Sequence, residues 1–426
     1  MKKHRKFSAV TVIQLLALLI LAAAAVLAIR KAVFLSGTTP AVAPAPSATP
    51  APTESAPSAT PAQSADPTPS ASPTQAPEDA LAARAQEILA DMTLHEKVCQ
   101  LFIVYPEAIT DVSAVVAAGD ATRSALEAYP VAGFLYDKKN MQSKQQVSEM
   151  LTKVQTFAKI PLILTCDEEG GRVNRLMSSV GTTWVGPMLD YQDQGPDTAR
   201  SNAQTIASDM SALGFNMDMA PVADVWSNPD NTVIGDRAYS DDFEEAAELV
   251  AAAVEGFHAG GVATTLKHFP GHGNTSADSH YGAVFVERTL EELRANELVP
   301  FQAGIDAGSD AVMVGHLIVS DIDDQPAPFS YKIVTELLRE EMGFDGVVIT
   351  DGLQMKAMTD QYSSAEIALR AVQAGVDLLL CPMNLEGAVD ALTQAVEDGT
   401  ISQARLDESV LRILTLKLET GIIPAA

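Results

Sequence analysis

With 426 residues, 47% of them apolar, the chain can bury a large core and has length enough for two or three domains. A formal net charge of −27 excludes a nucleic-acid surface. The three widely spaced cysteines, Cys99, Cys166 and Cys381, exclude a disulfide framework and a thiolate zinc site, and each lies in an apolar segment where a small buried hydrophobe is expected.

Taken in chain order, the first element is Ser8 to Ile29, which carries no charged side chain. At about 1.5 Å per residue it is long enough to cross the ~30 Å hydrocarbon layer of a membrane. Lys2, Lys3, Arg5 and Lys6 precede it, and Arg30 and Lys31 close it. The residues that follow, with Phe34 and Leu35, do not resemble a signal-cleavage site, so residues 1–35 read as a short basic cytoplasmic tail and an uncleaved single-pass anchor. The rest of the chain is then expected outside the cell, held at the membrane. Residues 36–77 are almost wholly Pro, Ala, Ser and Thr; they lack the apolar side chains needed to offset chain entropy and read as an extended, disordered linker.

Residues 78–426 hold eight short apolar runs: "LFIVY" at 101, "VAGFLY" at 131, "PLILTCDEEGG" at 161, "FNMDMAPVADV" at 215, "VATTLKHFPGHG" at 262, "AVMVGHL" at 311, "GVVITDGL" at 346 and "VDLLLCP" at 376. Uninterrupted Val, Ile and Leu without alternation suits strands covered on both faces. Amphipathic helices are predicted between them over 242–258, 290–307, 331–342, 365–374 and 385–397, with a last one over 403–419. The alternation predicts an α/β fold, a single (β/α)8 TIM-like barrel, preceded by the transmembrane helix and the linker.

Asp167, Asp224, Lys267, His268, His316 and Asp351 all stand at or just beyond the C-terminal ends of these runs, where a β/α barrel gathers its ligand-binding groups. Asp351 ends "VVIT", and a carboxylate fixed on a strand end can act as a nucleophile or stabilise a cation-like transition state. The loop "KHFPGHGNTSADSHYG" at 267–282 adds Asp278 and His280, two apart, so that in an extended stretch the carboxylate can orient the imidazole for proton transfer. Metal binding by His268, His272, Asp278 and His280 is the competing reading, but their spacing matches no zinc helix motif, so neither metal nor cofactor is expected. Arg172 and Arg175 in "CDEEGGRVNRL" and Arg237 after Asp236 in "VIGDRAYS" offer donors for vicinal hydroxyls, and Trp184 and Trp226 offer faces for a sugar or for packing.

These segments, "KHFPGHGNTSADSH", "DEEGGRVNR", "IGDRAYS" and "VVITDGLQM", resemble the β-N-acetylhexosaminidases of glycoside hydrolase family 3, the group that trims N-acetylglucosamine from cell-wall muropeptides. The resemblance covers essentially all of residues 78–426. It implies that Asp351 is the nucleophile, His280 the acid/base and Asp278 its partner, and that Asp167, Arg175, Arg237, Lys267 and His268 bind the sugar. It further implies retaining hydrolysis by a monomer that takes N-acetylglucosamine-containing glycans. The chain departs from the family pattern at Asn274 and Gly352, each in place of a usual Asp, and at Glu168 in place of Gln. Phosphorolysis or β-glucosidase activity on the same scaffold, and a non-catalytic protein that binds wall glycans, are the alternative readings.

Overall fold

A computed structural model describes residues 77–275 and 282–424. The anchor segment and linker of the sequence reading, and the Asp278–His280 pair, lie outside the described residues. Among the described residues no helix is long and apolar enough to cross a membrane.

Every one of the eight apolar runs forms a strand. In chain order these are β1 (Phe102–Val104), β2 (Gly133–Leu135), β3 (Ile163–Cys166), β4 (Met217–Asp218) and β5 (Thr265–Phe269). A short strand β6 (Val284–Phe285) intervenes before β7 (Ala311–Val314), and another, β8 (Leu317–Ile318), before β9 (Val347–Thr350) and β10 (Leu379–Leu380). All pairings between them are parallel, in a five-stranded order β10-β1-β2-β3-β4 and a three-stranded order β5-β7-β9. Isolated parallel bridges continue both edges, Met217 with Ala263 and Ile349 with Leu378. The α/β class with parallel sheets is therefore as expected. The β6–β8 pair was not anticipated, because two residues carry no readable period.

Parallel strands need cover on both faces. Helices Phe243–Ala259, Ser364–Ala374, Leu385–Glu397 and Gln403–Glu419 supply it close to their predicted bounds, each started by a side-chain cap, from Asp242, Ser363, Asn384 and Ser402. One core cluster runs from Ala85 to Ile423 and takes in Cys99, Cys166 and Cys381, which are free thiols. The predicted helix over 290–307 is two helices, Leu290–Ala295 and Leu298–Asp306. The reason is Pro300: in a continuous helix its ring would meet the carbonyl of Asn296, whereas after the break it falls in a first turn, where no donor is needed. Lys332–Glu341 is helical as expected but winds with π-type turns.

The register then places the chemistry. Val314 pairs with Thr350, and the next N–H, that of Asp351, donates to the Val314 carbonyl at 3.0 Å, so the carboxylate emerges from a backbone held on a neighbouring strand. In β5 the pairing shifts between Leu266 and Phe269. Neighbouring residues of a regular strand face opposite ways; across this irregularity Lys267 and His268 both reach the same cavity.

Candidate active site

The C-terminal strand ends surround a cavity of about 250 Å³, into which Asp167, Glu169, Arg175, Arg237, Lys267, His268, His272 and Asp351 all reach. Its floor and sides include Leu135, Met219, Met313 and Leu380, so polar groups are presented from an apolar wall.

Lys267 is 2% exposed and bridges two acids, Asp167 Oδ1 at 3.0 Å and Glu169 Oε1 at 2.6 Å. Arg175 reaches the other oxygen of Asp167 at 3.1 Å and Asp137 at 2.9 Å. Arg237 takes Glu169 in a fork, Nε to Oε2 at 2.8 Å and Nη2 to Oε1 at 2.7 Å. Burial alone would raise the Glu169 carboxyl, but the charges of Arg237 and Lys267 outweigh it and hold the group far below the usual carboxylate range. Lys267 is pushed down by burial and up more strongly by Glu169 and Asp167, so it stays charged. Three cations, Lys267, Arg175 and Arg237, thus face three acids, Asp167, Glu169 and Asp351. A wall so balanced suits a neutral ligand rich in hydroxyls, which can donate to the acids and accept from the cations.

Asp351 is the acid that none of these cations holds. Its Oδ1 accepts the Gly352 N–H at 2.6 Å. Burial raises its pKa, yet His316, His268, that N–H and Lys267 together set it below the ordinary value, so it is a carboxylate at neutral pH. His316 is buried behind it and donates through Nε2 to the Gly352 carbonyl at 3.0 Å, fixing the turn. Asp224, fully buried, fixes the other side. Its Oδ2 accepts from His268 Nδ1 at 2.6 Å, and its Oδ1 accepts the His272 backbone N–H at 2.6 Å. That bond places the His268 proton on Nδ1 and turns Nε2 away from the carboxylate.

The structure therefore brings together Asp167, Arg175, Arg237, Lys267, His268 and Asp351 as expected. Asp278 and His280 lie outside the described residues. Arg172 does not join the cavity wall; its guanidinium pairs with Asp236 and donates to the carbonyls of Thr232, Val233 and Ile234, bracing the turn that carries Arg237. Trp226 donates to the Asn231 carbonyl, and Trp184 is 66% exposed and apart from the cavity wall. Glu168 turns inward instead, accepting the N–H groups of Arg175, Leu176 and Met177, so it sets the Arg175 backbone. Glu169 was missed. Its signal was the triple acid of "CDEEGG", two residues beyond Asp167, but spacing alone did not show which acid would meet Lys267 and Arg237.

Comparison with known proteins bears on the family. The model of the glycosyl hydrolase family 3 N-terminal domain matches residues 93–416. A β-hexosaminidase A from Pseudoalteromonas piscicida is 33% identical over 319 residues, which is 68% of this chain and 53% of the relative, so the chain spans about half of that protein's length. A β-hexosaminidase from Stenotrophomonas maltophilia (strain R551-3) is 38% identical over 287 residues, 65% of this chain and 83% of the relative. Among solved structures, a glycoside hydrolase family 3 β-N-acetylglucosaminidase from Paenibacillus sp. strain FPU-7 superposes with a TM-score of 0.74 at 38% identity, covering 79% of this chain and 64% of that one.

Proposed function

The chain belongs to glycosyl hydrolase family 3, and on that premise we propose that it is a β-N-acetylhexosaminidase that releases terminal N-acetylglucosamine from glycans, with peptidoglycan fragments as the natural source. The observation that carries the reading is an ionised carboxylate, Asp351, that pairs with no lysine or arginine among the described residues and stands on a fixed strand end beside a charge-balanced, hydroxyl-binding wall. Relatives of 33% and 38% identity named β-hexosaminidase support the choice of sugar. The two bridges that link the edges of the parallel sheets support a closed (β/α)8 barrel, which places these groups at one mouth.

In the proposed reaction an Asp351 oxygen attacks the anomeric carbon as the bond to the leaving oxygen breaks, and that oxygen takes a proton from His280, oriented by Asp278. Water then attacks the same carbon, giving a proton to His280 as the bond to Asp351 breaks, and the sugar leaves with its β configuration retained. Lys267, Asp167, Arg175, Arg237 and His268 hold the sugar's hydroxyls throughout. The anchor, the linker and a catalytic domain outside the cell belong to the same proposal and rest on the sequence of residues 1–77; a monomer is proposed with them.

Incubating the protein with 4-nitrophenyl β-N-acetylglucosaminide and the matching β-glucoside tests the reading. We expect kcat/KM higher for the aminosugar by at least about tenfold, and free sugar as product whether or not phosphate is present. Preference for the glucoside, or a sugar 1-phosphate formed in phosphate buffer, would overturn it. For the acid/base, His280→Ala is expected to slow cleavage of a disaccharide by on the order of 10²–10³, and of the nitrophenyl glycoside much less, because a good leaving group needs little protonation. Equal losses on both substrates would remove His280 from that role.

A further inference from the structure

We propose that His272 is a substrate-positioning residue whose ring Nε2 accepts a hydrogen bond from one hydroxyl of the sugar bound beside Asp351. The proposal rests on the function argued above and deepens it, since the motif reading offered this side chain only as a possible metal ligand and the acid–base chemistry does not use it.

Four observations on the ring lead there. His272 is 2% exposed and lines the cavity. Its Nε2 is buried and has no hydrogen-bond partner among the described residues, a costly state for a polar atom unless a ligand completes it. Its position is not loose: the backbone N–H is held by Asp224, and the following Gly273 lies so close to Val225 that an added Cβ would stand 1.6 Å from the Val225 carbonyl oxygen. The tautomer also follows from the bonding. The Thr275 hydroxyl donates to the His272 carbonyl at 2.9 Å, which leaves its oxygen to accept from Nδ1–H at 2.7 Å. The proton is then on Nδ1, which leaves the lone pair on the buried Nε2 of a residue that lines the cavity.

Burial lowers the basicity of the imidazole, and the neighbouring His268 adds to that, against the opposing Asp224 carboxylate. A neutral ring nitrogen adds an acceptor beside the acids Asp167 and Glu169, which already spend oxygens on Lys267, Arg175 and Arg237. An uncharged ring nitrogen can accept a hydrogen bond from a hydroxyl without adding charge next to Asp351. Asp224 thereby acts on both histidines, through the ring of His268 and through the backbone of His272.

The test uses wild type, His272→Phe and His272→Gln with 4-nitrophenyl β-N-acetylglucosaminide and its 3-, 4- and 6-deoxy analogues, alongside thermal melts. Phenylalanine keeps the ring's bulk without a lone pair, and glutamine can return an oxygen near the Nε2 position. We expect His272→Phe to lower kcat/KM on the full substrate by about 10–100-fold, and His272→Gln to recover most of it. One deoxy analogue should be penalised in wild type by a similar factor and show no further penalty in His272→Phe. Unchanged kcat/KM, or the same deoxy penalties in variant and wild type at every position, would overturn the proposal. Should His272→Phe fail to fold, His272→Ala takes its place: loss of the deoxy penalty at one position supports the proposal, and wild-type penalties at every position refute it. Failure of wild type to cleave the aminosugar would instead sink the function reading, and the comparison would then be run on the β-glycoside it does cleave.

Discussion

Replacing Asp351 by alanine is expected to lower kcat on 4-nitrophenyl β-N-acetylglucosaminide by a factor on the order of 10⁴ or more, with KM changed little. The expectation follows from position and charge. Asp351 leaves β9 immediately after Thr350, its backbone N–H is fixed on Val314, and its carboxyl is kept ionised against the pull of burial. None of the cavity's lysine or arginine side chains forms an ion pair with it among the described residues, whereas they engage Asp167 and Glu169, which suits it to the proposed role of nucleophile. Removing it costs the fold little, because among the described residues its side chain bonds to the adjacent Gly352 N–H. A melt of the variant within a few degrees of wild type would make that control.

The same variant separates a nucleophile from an acid that only stabilises charge. Alanine vacates room for a small anion, and azide entering that room would attack the anomeric carbon from the face Asp351 used. The product would be the α-configured glycosyl azide, with nitrophenolate as leaving group and rate rising with azide concentration. A β-configured azide, or wild-type turnover without azide, would show that the covalent step is made by another group.

Much of this site was legible before any coordinates, and the reason is the parallel sheet. Strands covered on both faces must be short unbroken apolar runs, so the residue where polarity returns marks the strand's end and, in this architecture, the ligand side. Asp167, Lys267, His268 and Asp351 were found in that way. What stayed hidden is pairing across long separations. Asp224 and His268 are 44 residues apart, and Glu169 and Arg237 are 68 apart. Charge type and spacing gave Arg172 and Arg175 equal claims, and only the fold sends one to Asp236 and the other to Asp167. His272 had entered the reading only as a possible metal ligand. Its backbone tie to Asp224 and its bond to Thr275 give the ring a fixed direction that no spacing rule carries.

Glu169 is where stability and function meet, and Glu169→Gln is expected to destabilise the protein by about 3 kcal/mol or more at neutral pH, lowering Tm by at least about 5 °C. Glu169 is 3% exposed and neutralises the buried Lys267 and the half-buried Arg237. Glutamine keeps the shape but leaves both cations short of a counter-charge in a low-dielectric wall. The effect has a pH signature. The Glu169 pKa in the folded state is depressed below its ordinary 4.5, so its ionisation contributes fully to stability above that value. That contribution declines as pH falls below about 4.5 toward the folded-state value. The Tm gap between variant and wild type should therefore be widest near pH 7 and narrow as the pH is taken from 5 to 3. Lys267 and Arg237 do not blur this window, since their raised pKa values place their own titration in the alkaline range. Activity should fall with stability, because the same two cations are the ones proposed to hold the sugar; a variant that melts like wild type at pH 7, or a gap that widens on acidification, would show that Glu169 is not the charge that holds them.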